Sequence, residues 1–281
     1  MDISVIIPIW NVENYIERCL RSIFEQTKTE GVEFILVNDC TPDGSMEVAR
    51  RVIAEYPNLT VRIIEHPENR NNGAARQTGL EAAIGDYTMQ VDSDDWCEPR
   101  MLEELYAKAI ETDADIVYCN YYFNEILEEL PVHQTGFDMC KFYLEGSRLP
   151  GSALWNKLIK RNLFTQYNVA INHGGMRRSI DKYTTIRLFY FADKVVHLPS
   201  AYYHYYYNVN PNSVTNTHYF REIVALHNLI ENFCIDNNCN FSQEVFLKKK
   251  ALLKLCWLRN IRSSVKQREC IPYFPEVDRL Y

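Results

Sequence analysis

Three carboxylates fall within four residues in the run Val91-Asp92-Ser93-Asp94-Asp95. The preceding Asp86-Tyr87-Thr88-Met89-Gln90-Val91 has the make-up of a buried strand, so the acids arrive together where a strand ends and a loop begins. Carboxylates this close resist joint ionisation, and a divalent cation with oxygen ligands relieves the repulsion. Magnesium or manganese held by one or two carboxylates completes its shell with water and phosphate oxygens, which points to a nucleotide diphosphate. The same residues suit a solvated acidic turn ahead of a helix, with Asp94 or Asp95 at the helix's positive end. Taken alone, the motif leaves both readings open.

A sheet must place these acids. Ile3 to Ile9 is an apolar strand with Pro8 near its end, and Val12 to Thr27 repeats apolar residues at helical spacing. Glu33 to Val37 is a second buried strand running into the turn-rich Asn38-Asp39-Cys40-Thr41-Pro42-Asp43-Gly44-Ser45. Met46 to Tyr56 reads as helix, Leu59 to Glu65 as strand, and Gly73 to Ile84 as helix closed by Gly85 at a C-cap. The alternation predicts an α/β fold, a mostly parallel sheet with helices on both faces. Asp39, Arg76 and the acidic cluster should then converge on the carboxyl rim of the strands.

Beyond the cluster, Pro99 opens a helix to Ile110 and Asp115 to Asn120 reads as strand, after which residues 121–150 show no clear period. Ala153 to Phe164 and Asp181 to Ala192 return to helical spacing, and Lys194 to Leu198 is a short strand. Asn172 to Ser179, with two glycines and two arginines, is either a mobile loop or an ordinary surface connection. Tyr202-Tyr203-His204-Tyr205-Tyr206-Tyr207 suits a packed strand or a platform for sugar rings, packing being the safer expectation. Neither a P-loop nor a dinucleotide-binding glycine turn occurs.

The chain has 281 residues, 47% hydrophobic and 24% charged, enough for one large domain or a domain with an appendage. A formal charge of -7 gives no general attraction to nucleic acid. Nine scattered cysteines without a CxxC pair read as reduced thiols of a cytosolic protein. Met1-Asp2-Ile3-Ser4 enters a strand at once, leaving no room for a signal peptide, and no run is apolar for long enough to span a bilayer. A cytoplasmic location is the expectation.

Several segments together resemble the inverting family 2 glycosyltransferases with the glycosyltransferase A fold. They are Ser4-Val5-Ile6-Ile7-Pro8-Ile9-Trp10-Asn11, Val37 to Ser45, Asn69 to Leu80, Val91 to Trp96, Trp155-Asn156-Lys157-Leu158, and Asp181 to Pro199. The resemblance implies a catalytic domain over 1–215, with a nucleotide-binding half to about 120 and an acceptor half beyond, and a helical extension over 216–281. It implies transfer of a hexosyl or N-acetylhexosaminyl group from a UDP-sugar to a hydroxyl of a glycan or lipid-linked acceptor in polysaccharide biosynthesis. By the same resemblance Pro8, Asp39, Arg76 and Asp92 belong to the nucleotide, Asp39 on the base and Asp92 by the ribose. Asp94 belongs to a manganese or magnesium ion, Asp95 is a supporting carboxylate or a helix cap, and Asp181 is the base. By residue type alone, Asp39 could form an Asx-turn, Arg76 could be an exposed helical arginine, and Asp181 could be a helix N-cap or first-turn acid. Trp155 reads as core sooner than as acceptor site.

The chain departs from the family pattern at four places. Ile180 stands where a glutamate often precedes the base, Asn38 where a second aspartate is usual, Cys40 where glycine is frequent, and asparagines where glycine is common before Arg76. A carbohydrate-binding protein of the same fold without catalysis, or a sugar-nucleotide nucleotidyltransferase, are the other readings. The latter needs a glycine-rich basic loop after the first strand, which Trp10-Asn11-Val12-Glu13 does not resemble. Finally, 246–259 is a basic amphipathic stretch, suited to peripheral contact with an anionic inner membrane face or to packing with its lysines in solvent.

Overall fold

The computed structural model describes residues 1–132, 135–145, 152–173, 176, 180–207, 210, 220–239, 243–260 and 273–280. The first half alternates as the sequence predicts: β1 (Ile3–Ile9), α1 (Ile16–Phe24), β2 (Val32–Asn38), α2 (Ser45–Ala54), β3 (Thr60–Glu65), α3 (Asn72–Ala82) and β4 (Tyr87–Gln90). There follow β5 (Trp96–Cys97), α4 (Met101–Thr112), β6 (Ile116–Phe123), β7 (Ile126–Glu128), α5 (Gly136–Glu145), β8 (Lys157–Lys160) and α6 (Arg161–Gln166). The chain continues through α7 (Ile180–Phe191), β9 (Val195–Tyr205), α8 (Phe220–Asp236), α9 (Gln243–Asn260) and a 3-10 turn, Pro275–Leu280.

The strands form one mixed sheet in the order β3-β2-β1-β4-β8-β6-β9-β5, with β7 paired to β6. β1, β2, β3 and β4 are parallel neighbours, and every residue of β1 is buried because helices cover both faces. α1 turns Ile16, Cys19, Leu20, Ile23 and Phe24 inward, while Arg21 on its outer side pairs with Glu17 and with Glu55 beyond α2. The chain lays β2 and β3 on one side of β1 and returns through α3 to lay β4 on the other, so the strand order reverses at β1. Right-handed crossovers put α3 on the face opposite α1 and α2. A crevice opens at the carboxyl ends of β1 and β4, the place where such sheets take ligands.

Pro8 fits this point. Its position along β1 faces β4, whose ladder has already ended at the Ile6–Gln90 pair, so the missing amide costs no sheet bond. Gly85 is not the helix cap expected. α3 ends at Ala83 in an extended conformation, and Gly85 donates its N–H to Ser4 Oγ at 2.8 Å. A Cβ there would meet Ser4 N at 2.6 Å, so the residue serves close approach to β1.

The helix expected over 153–164 is instead β8 followed by α6. β8 runs antiparallel to both neighbours, pairing Leu158 with Met89 on one side and Val117 on the other. A strand enclosed on both faces shows no alternation, so Leu158 and Ile159 fit helical spacing equally well. β9 is longer than predicted and runs past Pro199 through a bulge, where Asn120 Nδ2 donates to the Pro199 carbonyl at 2.8 Å. Its continuation buries Tyr202, Tyr203 and His204, as packing requires.

Within α9, Lys249, Lys250 and Lys254 are buried, and Lys248 is exposed beside Glu244. The lysines over 246–259 are therefore mostly turned inward and not displayed to a lipid face or to solvent. Among the described residues no helix is long and apolar enough to cross a membrane. Among the described residues Cys19, Cys40, Cys97, Cys119, Cys140, Cys234 and Cys239 are free thiols.

Candidate active site

Asp39 follows β2 directly and is buried, its N–H held by the Ile9 carbonyl at 3.0 Å. Its carboxylate accepts from Arg70 N–H at 2.9 Å and from Asn69 Nδ2 at 3.0 Å. His66 Nδ1 lies 2.7 Å from the same carboxylate, while His66 Nε2 sits 2.9 Å from the Thr78 hydroxyl on α3. The side chain that ties this turn is that of the preceding residue, Asn38 Oδ1 accepting from Thr41 N–H, three residues on, at 2.9 Å. Cys40 then takes a left-handed φ of 55°, and Asn71, before α3, a φ of 74°. The backbone thus keeps glycine-type conformations with other residues in place. A left-handed non-glycine residue costs about 1–2 kcal/mol, and glycine's extra chain entropy returns roughly half of that. Cys40→Gly should therefore raise stability by about 0.5–1 kcal/mol in urea unfolding; a lowered midpoint would show that the exposed thiol makes compensating contacts.

The three clustered acids have different surroundings. Asp95 is wholly buried and turned away from the crevice, accepting from Tyr203 OH at 2.9 Å and Tyr206 N–H at 3.1 Å. Burial, then Asp94 and Asp92, push its carboxyl well above the usual range, against those two donors. It is not a helix cap, since α4 begins at Met101 with Arg100 before it. Asp92 accepts a hydrogen bond from Arg76 Nη2, and its own N–H donates to Tyr203 OH at 2.9 Å. Burial lifts Asp92 to about 6 despite Arg76, with Asp94 and Asp181 adding to the rise. Asp94 is half-buried; Asn210 Nδ2 donates to its Oδ2 at 3.0 Å and Arg18 Nη2 to its carbonyl at 3.0 Å.

Arg76 is 2% exposed, so the exposed-arginine reading fails. Besides Asp92 it donates to Asn72 Oδ1 at 2.9 Å and reaches Gln90 Oε1 at 3.4 Å. Burial opposes its charge, but Asp92 and then Asp181 raise its pKa overall. Asp181 stands in the first turn of α7, half-buried, and its charge acts on Arg76, Asp92 and Lys157. The segment from 172 to 179 is described only at Asn172, His173 and Met176, so the mobile-loop expectation falls largely outside the described residues.

The departure at Ile180 has a packing reason. Ile180 is buried against the first turn of α3, where a Cβ added to Gly73 would meet Ile180 Cδ1 at 2.7 Å. An apolar contact thus seats the helix of Asp181 on the helix of Arg76. Residues 4–184 match the family model described as Glycosyl transferase family 2. The chain belongs to that family.

Family relatives include glycosyltransferase GlyA of Streptococcus pneumoniae, 36% identical over 72% of this chain but 30% of GlyA. The chain thus spans under a third of GlyA's length. The putative glycosyltransferase EpsH of Bacillus subtilis is 29% identical over 84% of this chain and 70% of EpsH. Among solved structures, S. aureus TarS 1–349 in complex with UDP-GlcNAc has a TM-score of 0.74 at 19% identity, covering 97% of this chain and 79% of TarS. The Pyrobaculum calidifontis mannosyltransferase PcManGT, in complex with GDP-Man and Mn2+, has a TM-score of 0.58 at 16% identity, covering 96% and 73%. The fold is the glycosyltransferase A type.

In this family member, several residues of the site escaped the sequence reading. His66 and Asn69 hold Asp39, and Tyr203 bridges Asp92 and Asp95. His66 carried a signal, being the first residue after β3 and so on the same rim. Trp155 is core as expected, stacked on Tyr203 at 4.3 Å behind the acidic loop.

Proposed function

We propose that the protein transfers a hexosyl or N-acetylhexosaminyl group, with inversion, from a UDP-sugar to a hydroxyl of a glycan or lipid-linked acceptor in polysaccharide synthesis. The observation that supports this reading is the meeting of the Arg76–Asp92 pair with Asp94 and Asp181 in a family 2 glycosyltransferase fold, with Asp39 at the end of β2, the strand beside β1. TarS with UDP-GlcNAc and PcManGT with GDP-Man support a nucleotide-sugar donor in the shared fold. The catalytic domain would be 1–215, its nucleotide half ending near 120, with 216–281 a helical extension. Scattered free thiols suit a cytoplasmic setting.

Asp39 accepts the ring N–H of the base, fixed in place by Arg70 N–H, Asn69 and His66. Pro8 lines the crevice between β1 and β4, and Asp92, braced by Arg76, accepts from the ribose. The acids fit a divalent ion of the magnesium or manganese type. Asp95 is committed to Tyr203 and Tyr206, Asp92 to Arg76, and Asp94 presents a half-buried carboxylate whose Oδ2 accepts from the neutral amide of Asn210. One protein carboxylate completed by water and diphosphate oxygens is how such ions are commonly held. When bound, the ion supplies Lewis-acid stabilisation for the departing diphosphate. Asp181 takes the proton from the acceptor hydroxyl as its oxygen attacks the anomeric carbon opposite the leaving group.

Calorimetric titration of UDP, GDP and dTDP, with and without manganese, tests this. Wild type should bind UDP in a metal-dependent way, and Asp94→Ala should weaken that binding by at least about tenfold, the loss of one charged ligand. Absence of nucleotide binding under every condition would leave the acidic cluster a structural turn.

A further inference from the structure

The turn between β6 and β7 carries a residue that its backbone does not favour. Phe123 pairs with Ile126 across it, so Asn124 and Glu125 are the two loop residues, with φ of 47° and 65°. A two-residue hairpin loop with both φ positive favours glycine at its second position. Glu125 stands there instead, in a conformation that strains any side chain and leaves glycine unstrained. Strain of this kind gathers at functional sites.

The Glu125 carboxylate reaches back to the end of β9. Its Oε1 accepts from Tyr206 OH, and its Oε2 lies 3.4 Å from His204 Nδ1, a buried ring nitrogen with no hydrogen bond of its own. The other ring nitrogen of His204, Nε2, sits 2.9 Å from Glu98 Oε1. The imidazole is stacked between Trp96 and Tyr122, with ring centres 3.6 and 4.5 Å away. Asn124 grips the same stretch, its N–H donating to the Tyr205 carbonyl at 3.0 Å and its Oδ1 accepting from Tyr207 N–H at 2.9 Å. The hairpin tip thus clamps residues 204–207.

Those residues in turn bracket Asp94. Trp96 Nε1 donates to Tyr206 OH at 3.3 Å, and Tyr206 N–H donates to Asp95 Oδ1 at 3.1 Å. From the other side, the Arg18 guanidinium lies over the Tyr206 ring, 4.8 Å from its centre, and donates to the Asp94 carbonyl at 3.0 Å. None of these contacts uses the Asp94 carboxylate, so they set where it stands without occupying it. A carboxylate that must meet an ion gains affinity when its loop is held in place beforehand.

We propose that Glu125 is a positioning residue for Asp94, holding Tyr206 and His204 as the surface on which the acidic loop rests. This builds on the reading of Asp94 as the carboxylate for the divalent ion. The hairpin tip then acts on the ion without touching it.

The test is calorimetric binding of UDP to the full chain over a range of manganese concentrations, with melting temperatures measured alongside. Glu125→Gly should melt within about 3 °C of wild type, because glycine suits the φ of 65° and the pairs lost involve an exposed carboxylate. The manganese concentration that half-saturates the UDP complex should nevertheless rise about fivefold, the size of one lost hydrogen bond. Glu125→Gln, which keeps an oxygen for Tyr206 OH but not the charge facing His204, should fall between. Tyr206→Phe should reproduce the loss, and the double variant Glu125→Gly/Tyr206→Phe should bind no more weakly than the worse single variant, since both break one route. The proposal is overturned if Glu125→Gly binds manganese and UDP as wild type does, or if it loses binding and melts more than about 3 °C lower, the mark of a residue that serves the fold alone. Additive losses in the double variant overturn the route through Tyr206. Wild type that binds UDP equally with and without manganese removes the metal reading of Asp94 and this role with it, but leaves the donor site. Wild type that binds no nucleotide removes the transferase reading itself.

Discussion

An Asp181→Asn variant should turn over about a thousandfold more slowly than wild type, the middle of the range for a lost general base, while still binding UDP and manganese. Asparagine keeps the size of the side chain at the head of α7 and removes its ability to take a proton. The charge removed also acts on Asp92, which it helps lift to about 6, and on Arg76, whose cation it supports. Loss of a like charge near Asp92 favours the ionised carboxylate, so UDP affinity in the presence of metal should hold or tighten slightly. That opposite movement of kcat and affinity is what a merely structural acid would not produce. If turnover and UDP binding fall together, Asp181 is a first-turn acid that holds α7 in place. If wild type and variant bind UDP alike and neither transfers sugar to any acceptor, the binding-protein reading stands. The packing of Ile180 on Gly73 argues for an intact base, because it seats α7 on the helix of Arg76 without needing a glutamate.

The positions of the acids at the strand ends were legible because strand ends are legible. Buried parallel strands leave continuous apolar runs, and whatever follows them lies on the rim, which is how Asp39, Asp92 and Asp94 could be placed together. What joins them was not legible, since it depends on residues far apart in the chain. Tyr203 reaches Asp95 from 108 residues away, and Asn210 reaches Asp94 from 116. The exposure of Arg76 was open for a related reason. A lone arginine on an otherwise small-residue helix has no pattern that shows its guanidinium folding under toward Gln90 and Asp92. β8 was missed because a strand inserted between β4 and β6 has no wet face to mark its period. The lysines of α9 were misplaced because amphipathic spacing assumes one apolar neighbour, whereas this helix meets the 3-10 turn as well as α5, and its amines are covered.

Arg76→Met should be the most destabilising single change at the site, on the order of 3–5 kcal/mol by urea unfolding, the usual cost of breaking a buried ion pair from one side. Asp92, with 21% of its side chain exposed, would keep Asp94 and Asp181 as charged neighbours and lose the cation that opposes them. Asn72 Oδ1 and Gln90 Oε1 would lose their donor too, beside a Gln90 Nε2 that already has no partner. Adding Asp92→Asn should recover part of the loss, because an amide tolerates the site without a counter-charge. Strict additivity of the two changes would show that the pair is not coupled. The wild type carries the same physics in its pH dependence. Asp92 holds its proton to about 6 against an ordinary 3.8, so between those values the folded state binds more protons than the unfolded state. This contribution is present below about pH 4 and is lost as pH rises to about 6, by on the order of 3 kcal/mol in all. In Arg76→Met, Asp92 should titrate higher still, so the decline should extend beyond pH 6. If its upper end stays at the wild-type position, Arg76 is not what keeps Asp92 ionised.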